Sequence, residues 1–393
     1  MKQAYLLLLC LIAYSCSSTD SNLYEINPEE FTENKITLSD IADDIKYIPL
    51  DNSTAIGLIY TYKITESSIY LSVKDIGILE FDHEGKLLRK IGSHGRGPGE
   101  YYYYMHFDFD PNAKSVYVLE NNMIKVYTGN GQFQRNITLK EYGGRIFDDI
   151  NFFNGKLLIT ENIYMGQAKY SWLILDTVGM LIKSKHNPIP IFNSNLPSAG
   201  GTYKFDGKIV CWELYNDTVY SILPDLSYGI SFIFSPGEYR WPKSTVQISQ
   251  SNSFVSFLNN HMQILRMFET NNFLVLVYSL RGNWIAVIDK LKSKTFLCGV
   301  ESFGGTLGSK QVGGILNDLD GGTLFQPENY FVEDSQEYMV GLQYPYQIKV
   351  HVASTDFKNL IPEYPEKKKE LEKLANSLKE TDNPVLVLVR LKE

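Results

Sequence analysis

Cysteine is scarce in this 393-residue chain, and so are the patterns through which cysteine and histidine do chemistry. The four cysteines are Cys10, Cys16, Cys211 and Cys298, and the last two alone make no disulfide framework. The six histidines form no H-x-x-x-H pair and no Cys/His set with zinc spacing. Basic charge is short as well: 37 Lys and Arg stand against 45 Asp and Glu, for a formal charge of −8. With no basic stripe, nucleic acid is not an expected partner. A Walker loop, a dinucleotide fingerprint, a G-x-S-x-G elbow and a sialidase-type Asp box are all missing. Nothing therefore marks the chain as an enzyme, and no cofactor is expected. Acids are too plentiful for the sequence to single out a glycosidase pair.

Long hydrophobic runs are lacking too. The apolar stretch from Ala4 to Ala13 is shorter than the ~20 residues of a spanning helix and suits a secretory signal. It ends in Ala13-Tyr14-Ser15-Cys16, which resembles a lipobox. Residues 1–15 are read as the signal, Cys16 as the lipid attachment site, and 16–35 as a lipidated N-terminus and polar tether. This implies a cell-envelope, outer-membrane lipoprotein, facing the periplasm or the outside and held to the membrane by its lipid.

What is abundant is Tyr (27), Phe (21) and Gly (29), the residues of strands and turns. Ile69 to Val73, Ile76 to Phe81 and Lys86 to Ile91 read as three strands, with Asp82-His83-Glu84-Gly85 as a turn. The unit returns around Gly131 and again around Gly179, roughly 45–50 residues apart, a period typical of propeller blades. Fainter copies follow at Lys208 to Phe234 and Phe273 to Leu297, and strands at Tyr338 to Leu342 and Gln347 to Val352 supply a last blade. A loop or short helix is expected around His261 to Phe268. Counting alone leaves six or seven blades open. Pro365 opens an amphipathic helix bearing Leu371, Leu374, Ala375 and Leu378. The strand Val385 to Val389 that follows needs a partner, and Ile45 to Leu50 is the natural one. Residues 36–393 are thus read as one all-β domain, with a short C-terminal helix and a C-terminal strand that closes the ring.

The segments Ile41-Ala42-Asp43-Asp44-Ile45-Lys46-Tyr47-Ile48-Pro49-Leu50, Phe81-Asp82-His83-Glu84-Gly85-Lys86, Asn216-Asp217-Thr218-Val219-Tyr220 and Asp382-Asn383-Pro384-Val385-Leu386 carry a family resemblance. Together they resemble a bacterial family of six-bladed β-propeller proteins, and Gly92 to Phe133 is similar to one NHL-type repeat. The resemblance implies six blades and a Gram-negative lipoprotein. It carries no activity with it.

Three features are candidate sites. The Gly-rich stretch Gly92 to Gly99 reads as a crossing between blades, with Arg96 and Glu100 on it. Of the four tyrosines Tyr101 to Tyr104, alternation sends two between blades and leaves Tyr102 and Tyr104 for a ligand. Asp318 and Asp320 have the D-x-D-G spacing of half a calcium loop, without its later ligands. The expected function is ligand or protein binding, with a glycan, a peptide or an envelope protein as partner. The alternative is a glycoside hydrolase or lyase working in the axial funnel.

Overall fold

The computed structural model describes residues 24–102, 106–143, 147–196, 198–248, 251–302 and 312–393. Six antiparallel sheets of four principal strands follow one another along the chain, and each is a blade. The first strands of the blades are Ile59–Ile64, His106–Asp110, Phe147–Phe153, Gly200–Phe205, Gln263–Glu269 and Asn329–Glu333. They lie innermost and surround the axis. The turns joining first to second and third to fourth strands share one face, called here the hairpin face. The crossings between blades share the opposite face.

The ring closes as the terminal strand requires. Val385–Leu391 is the third strand of blade six, and Ala42–Pro49 is the fourth. Ile45 pairs with Val389, Tyr47 with Val387 and Pro49 with Val385. Val385, Leu386, Val387 and Val389 are fully buried, which is why the segment is apolar on both faces.

The repeating turn glycines have a common task. Gly85, Gly131 and Gly179 all have positive φ, at 84°, 83° and 104°. Each nests against what the preceding blade presents: a Cβ would lie 2.2 Å from the Pro49 carbonyl oxygen, 2.3 Å from that of Lys90, and 2.4 Å from Ile137 Cγ2. Glycine is thus required both by the turn and by blade-to-blade contact.

Three expectations need correction. Gln347 to Val352 is not a strand but part of the helix Pro345–Ala353. Pro345 sits in its first turn, and the Gln347 side chain accepts the Tyr344 N–H at 2.8 Å. This helix, Thr355–Asn359 and the expected Pro365–Ser377 form an insertion on the crossing face of blade six. The helix before blade five is Ser251–Asn260, and Gln263–Glu269 is already that blade's inner strand. Finally, the tether does not run free to residue 35. Tyr24–Ile26 adds a parallel fifth strand to blade four, pairing with Phe232–Phe234, and Pro28–Glu30 forms a 3-10 turn.

Candidate functional site

The six inner strands enclose an axial cavity of about 1350 Å³, which reaches the hairpin face at Glu66, Pro111 and Asp206. One half of its wall is ionic. Asp108 of blade two, almost fully buried, receives Lys63 of blade one at 3.4 Å and Lys204 of blade four at 2.6 Å. It also accepts the Phe152 N–H at 2.7 Å, satisfying the open inner edge of blade three. Burial pushes the Asp108 carboxyl up, but Lys204 and Lys63 outweigh it and hold the group below the usual carboxylate range.

Next to this network His106 lies 3.4 Å from Asp149. Burial lowers the imidazole pKa, yet the bond to Asp149 and its charge raise it overall. Asp149 is held at about 2, against burial, by His106 and by the Thr202 hydroxyl, which donates to it. Asn151 in turn donates to Thr202 Oγ1 at 2.6 Å. Across the cavity Arg266 of blade five sits 3.5 Å from Glu328, whose carboxyl burial pushes up.

The rest of the wall is aromatic and aliphatic. Tyr60, Leu265 and Val332, from blades one, five and six, are exposed there. Phe109 packs on Tyr70 at 4.9 Å, and Phe205 carries the Lys290 ammonium 4.3 Å over its ring. Acids and bases from different blades have thus neutralised one another, leaving ring faces and paired polar groups. No group of three or more His, Cys, Asp or Glu among the described residues is placed to hold a metal ion.

A side pocket of about 30 Å³ between blades three and four shares Gly200 and Trp212 with the cavity wall. Asp148 and Glu213 line it. Burial pushes Glu213 up to about 8, and burial also raises Asp148. Glu213 accepts the Ser198 hydroxyl at 2.7 Å and the Tyr215 N–H at 2.9 Å. Trp172 Nε1 and Thr160 Oγ1 at the pocket wall have no hydrogen-bond partner among the described residues.

The residues expected as sites lie elsewhere. The Gly-rich stretch does cross from blade one to blade two, closed by Tyr101 N–H to Ser93 O and Gly95 N–H to Tyr101 O, both 3.0 Å. Glu100 accepts the Gly97 N–H at 2.7 Å and so holds the loop together. Tyr101 is buried between the blades. Tyr102 is exposed, stacked on His94 at 5.4 Å, with the Arg96 guanidinium 4.8 Å over its ring. None of Arg96, Glu100 and Tyr102 lines the axial cavity. Cys16 and Tyr104 lie outside the described residues.

Asp318 and Asp320 turn to different partners. Asp318 accepts the Ser39 N–H at 2.9 Å and the Ser39 hydroxyl, while Asp320 accepts Asn317 Nδ2 at 2.7 Å and the Gly322 N–H at 2.8 Å. They tie the crossing into blade six. Missed by sequence reasoning were Lys63, Asp108, Asp149 and Lys204. The only signal was charge inside strands otherwise rich in aromatic residues: Lys63 and Lys204 alone in theirs, Asp108 beside His106 and Asp110, and Asp149 beside Asp148.

The whole architecture has solved relatives. A Bacteroides fragilis protein designated as exported superposes with a TM-score of 0.65 over 94% of this chain and 99% of its own, at 16% identity. A DUF4221 family member from Bacteroides vulgatus gives 0.50 over 90% and 97%, at 13% identity. At such identities the likeness is one of fold. No curated protein matches the sequence. The domain family of unknown function DUF4934 matches residues 23–390, essentially the full propeller with its closing strand, and the chain belongs to that family.

Proposed function

We propose that this chain is an exported envelope lipoprotein, acylated at Cys16, that binds an oligosaccharide in its axial cavity. The observation that carries the binding reading is the wall itself. All six blades contribute, the charges are paired between blades, and exposed ring and aliphatic faces stand beside polar groups. A neutral polyhydroxylated ligand suits such a wall, since sugar faces stack on aromatic rings while hydroxyls bond to paired ions. Export draws support from the signal-like N-terminus and from the designation of the Bacteroides fragilis relative.

Calorimetric titration of the mature protein with a panel of oligosaccharides, and with short peptides as the competing class, tests this reading. Binding is expected for a glycan, lost in Tyr60→Ala and Lys204→Ala and retained in Tyr102→Ala. Peptide binding alone, or a glycan that binds equally to all variants, overturns it. Labelling cells with a fatty-acid analogue is expected to mark the wild type and not Cys16→Ser. Equal labelling of both defeats the anchor.

A second reading, hydrolysis of the glycan, is favoured by one specific arrangement. Asp149 is held at about 2 and Glu213 at about 8 on adjoining cavities, the separation that an ionised stabiliser and a protonated acid need. The side pocket that Glu213 lines has room for a water. Shortening of the bound oligosaccharide that stops in Glu213→Gln identifies this outcome.

A further inference from the structure

The turns between third and fourth strands stand at the rim of the hairpin face, and they are of two kinds. In blades one and two they are polar, Asp82 to Lys86 and Thr128 to Gln132. In blades three, four and five they carry exposed apolar side chains. Blade three presents Val178 and Met180, the latter 68% exposed, followed by Leu181 and Ile182 on its outer strand. Blade four presents Leu223, then Tyr228 and Ile230, and blade five Leu291 at 80%. The acids of these turns accept N–H groups of the turns themselves, with Asp225 still exposed. Asp176 accepts the N–H groups of Val178, Gly179 and Met180, Asp225 that of Ser227, and Asp289 those of Leu291 and Lys292.

Blades three and four present this surface continuously. Lys183 donates to the Leu226 carbonyl at 2.7 Å, and the Lys185 ammonium lies 4.3 Å over Tyr220 and 5.8 Å from Tyr228. The turns of blades three, four and five are thus apolar-tipped and backed by lysines, whereas those of blades one and two are polar and followed only by Leu88 and Phe133 as exposed apolar residues. An apolar edge of this size on an otherwise polar ring marks a contact surface.

The N-terminal strand indicates what covers it. Tyr24 pairs with Phe232 and Ile26 with Phe234, in parallel. The strand therefore enters from the hairpin side, at the Tyr228 end of blade four, in the middle of the apolar half. Cys16 is eight residues before Tyr24 in the sequence, a reach of at most about 28 Å at ~3.5 Å per residue. A lipid on Cys16 would hold the membrane within that radius of Tyr24, at the blade that stands between the other two with apolar turns.

We propose that the half-rim formed by the turns of blades three, four and five docks on the lipid surface, seating the propeller on the membrane by its hairpin side and turning the helical insertion away from it. The inference rests on the acylation of Cys16 proposed above. Apolar tips entering the headgroup boundary, with lysines beside them, are the chemistry by which surface elements bind bilayers.

The test uses the lipidated full chain in vesicles of phosphatidylethanolamine and phosphatidylglycerol. A fluorophore is placed at Met180→Cys or, on the opposite face, at the exposed Ile361→Cys. Native Cys211 and Cys298 are buried and so withheld from the label. A lipid-borne quencher is expected to quench Met180→Cys several-fold more than Ile361→Cys. That difference is expected to vanish when Val178 and Leu291 are both changed to Asp, at unchanged melting temperature. No quenching at Met180→Cys, or equal quenching at both sites, in protein that still sediments with the vesicles overturns the docking surface and leaves the anchor standing. Protein that does not sediment with vesicles defeats both.

Discussion

Asp108 of blade two and Lys204 of blade four meet at 2.6 Å, although a whole blade stands between theirs in the ring. The contact passes the inner edge of blade three, and Lys63 from blade one completes it. Asp108→Ala leaves two ammonium groups facing each other and the Phe152 N–H without its acceptor. Breaking a buried charge network from its centre costs about 3–5 kcal/mol. Lys204 is nearly half exposed, so Lys204→Ala is expected to cost about 1 kcal/mol or less. Urea unfolding of the two variants measures the difference, and equal losses would contradict Asp108 as the hub.

Ring closure is the second point of attack. Deletion of residues 384–393 removes a strand whose buried aliphatic side chains contribute ~1.5–3 kcal/mol each. Their sum approaches the ~5–15 kcal/mol stability of an ordinary domain. The truncated protein is expected to aggregate or be degraded. Cooperative melting near the wild-type temperature would show that the seam does not hold the ring.

Stability is expected to fall on both sides of mildly acid pH. Glu213 keeps its proton up to about 8, whereas in the unfolded chain it loses it near 4.5. Between those values the folded state binds more protons, so stability declines as pH rises, by about 1.4 kcal/mol per pH unit for one such group. His106, raised from 6.5, adds to the loss as pH climbs through its folded pKa. Asp149, held at about 2, acts in the opposite sense: its contribution is present above 3.8 and disappears as pH falls toward 2. Melting curves across pH should therefore have a shallower alkaline slope in Glu213→Gln, with the part due to His106 remaining. Parallel slopes in variant and wild type would refute the assignment.

Reductant and chelator are expected to leave the melting temperature unchanged. Cys211 packs between blades three and four and Cys298 in blade five, each as a free buried thiol. Asp318 and Asp320 are engaged by Ser39, Asn317 and Gly322. A fall of many degrees with chelator alone would point to a structural ion at one of these acids.

The blades were legible because their turns are chemically constrained at every repeat. Asp176 folds the Gly179 turn onto its own carboxylate, and the glycine has no alternative beside Ile137. The closing strand was legible because burial on both faces demands an uninterrupted apolar run. Helix Pro345–Ala353 was not, because Ile348, Val350 and Val352 alternate like a strand. Only Ile348 is buried, and Val350 points to solvent. The axial site was hidden for a different reason. Lys63, Asp108, Asp149 and Lys204 stand in four separate strands, two of which carry a second acid, Asp110 or Asp148, and only closure of the ring brings the four to one place. The loop bearing Arg96, Glu100 and Tyr102 has dense local chemistry, yet Glu100 is spent on holding the loop, and the loop lies away from the axis.

The short parallel strand Tyr24–Ile26 also fixes a path for force. A pull on the N-terminus reaches this strand before it reaches Ala42–Pro49. Three residues sheared along blade four yield first and lengthen the leash, while the seam between Ala42–Pro49 and Val385–Leu391 bears no tension. The molecule thus has a mechanical fuse upstream of its latch, and the ring stays shut under loads that would otherwise unzip it from the end.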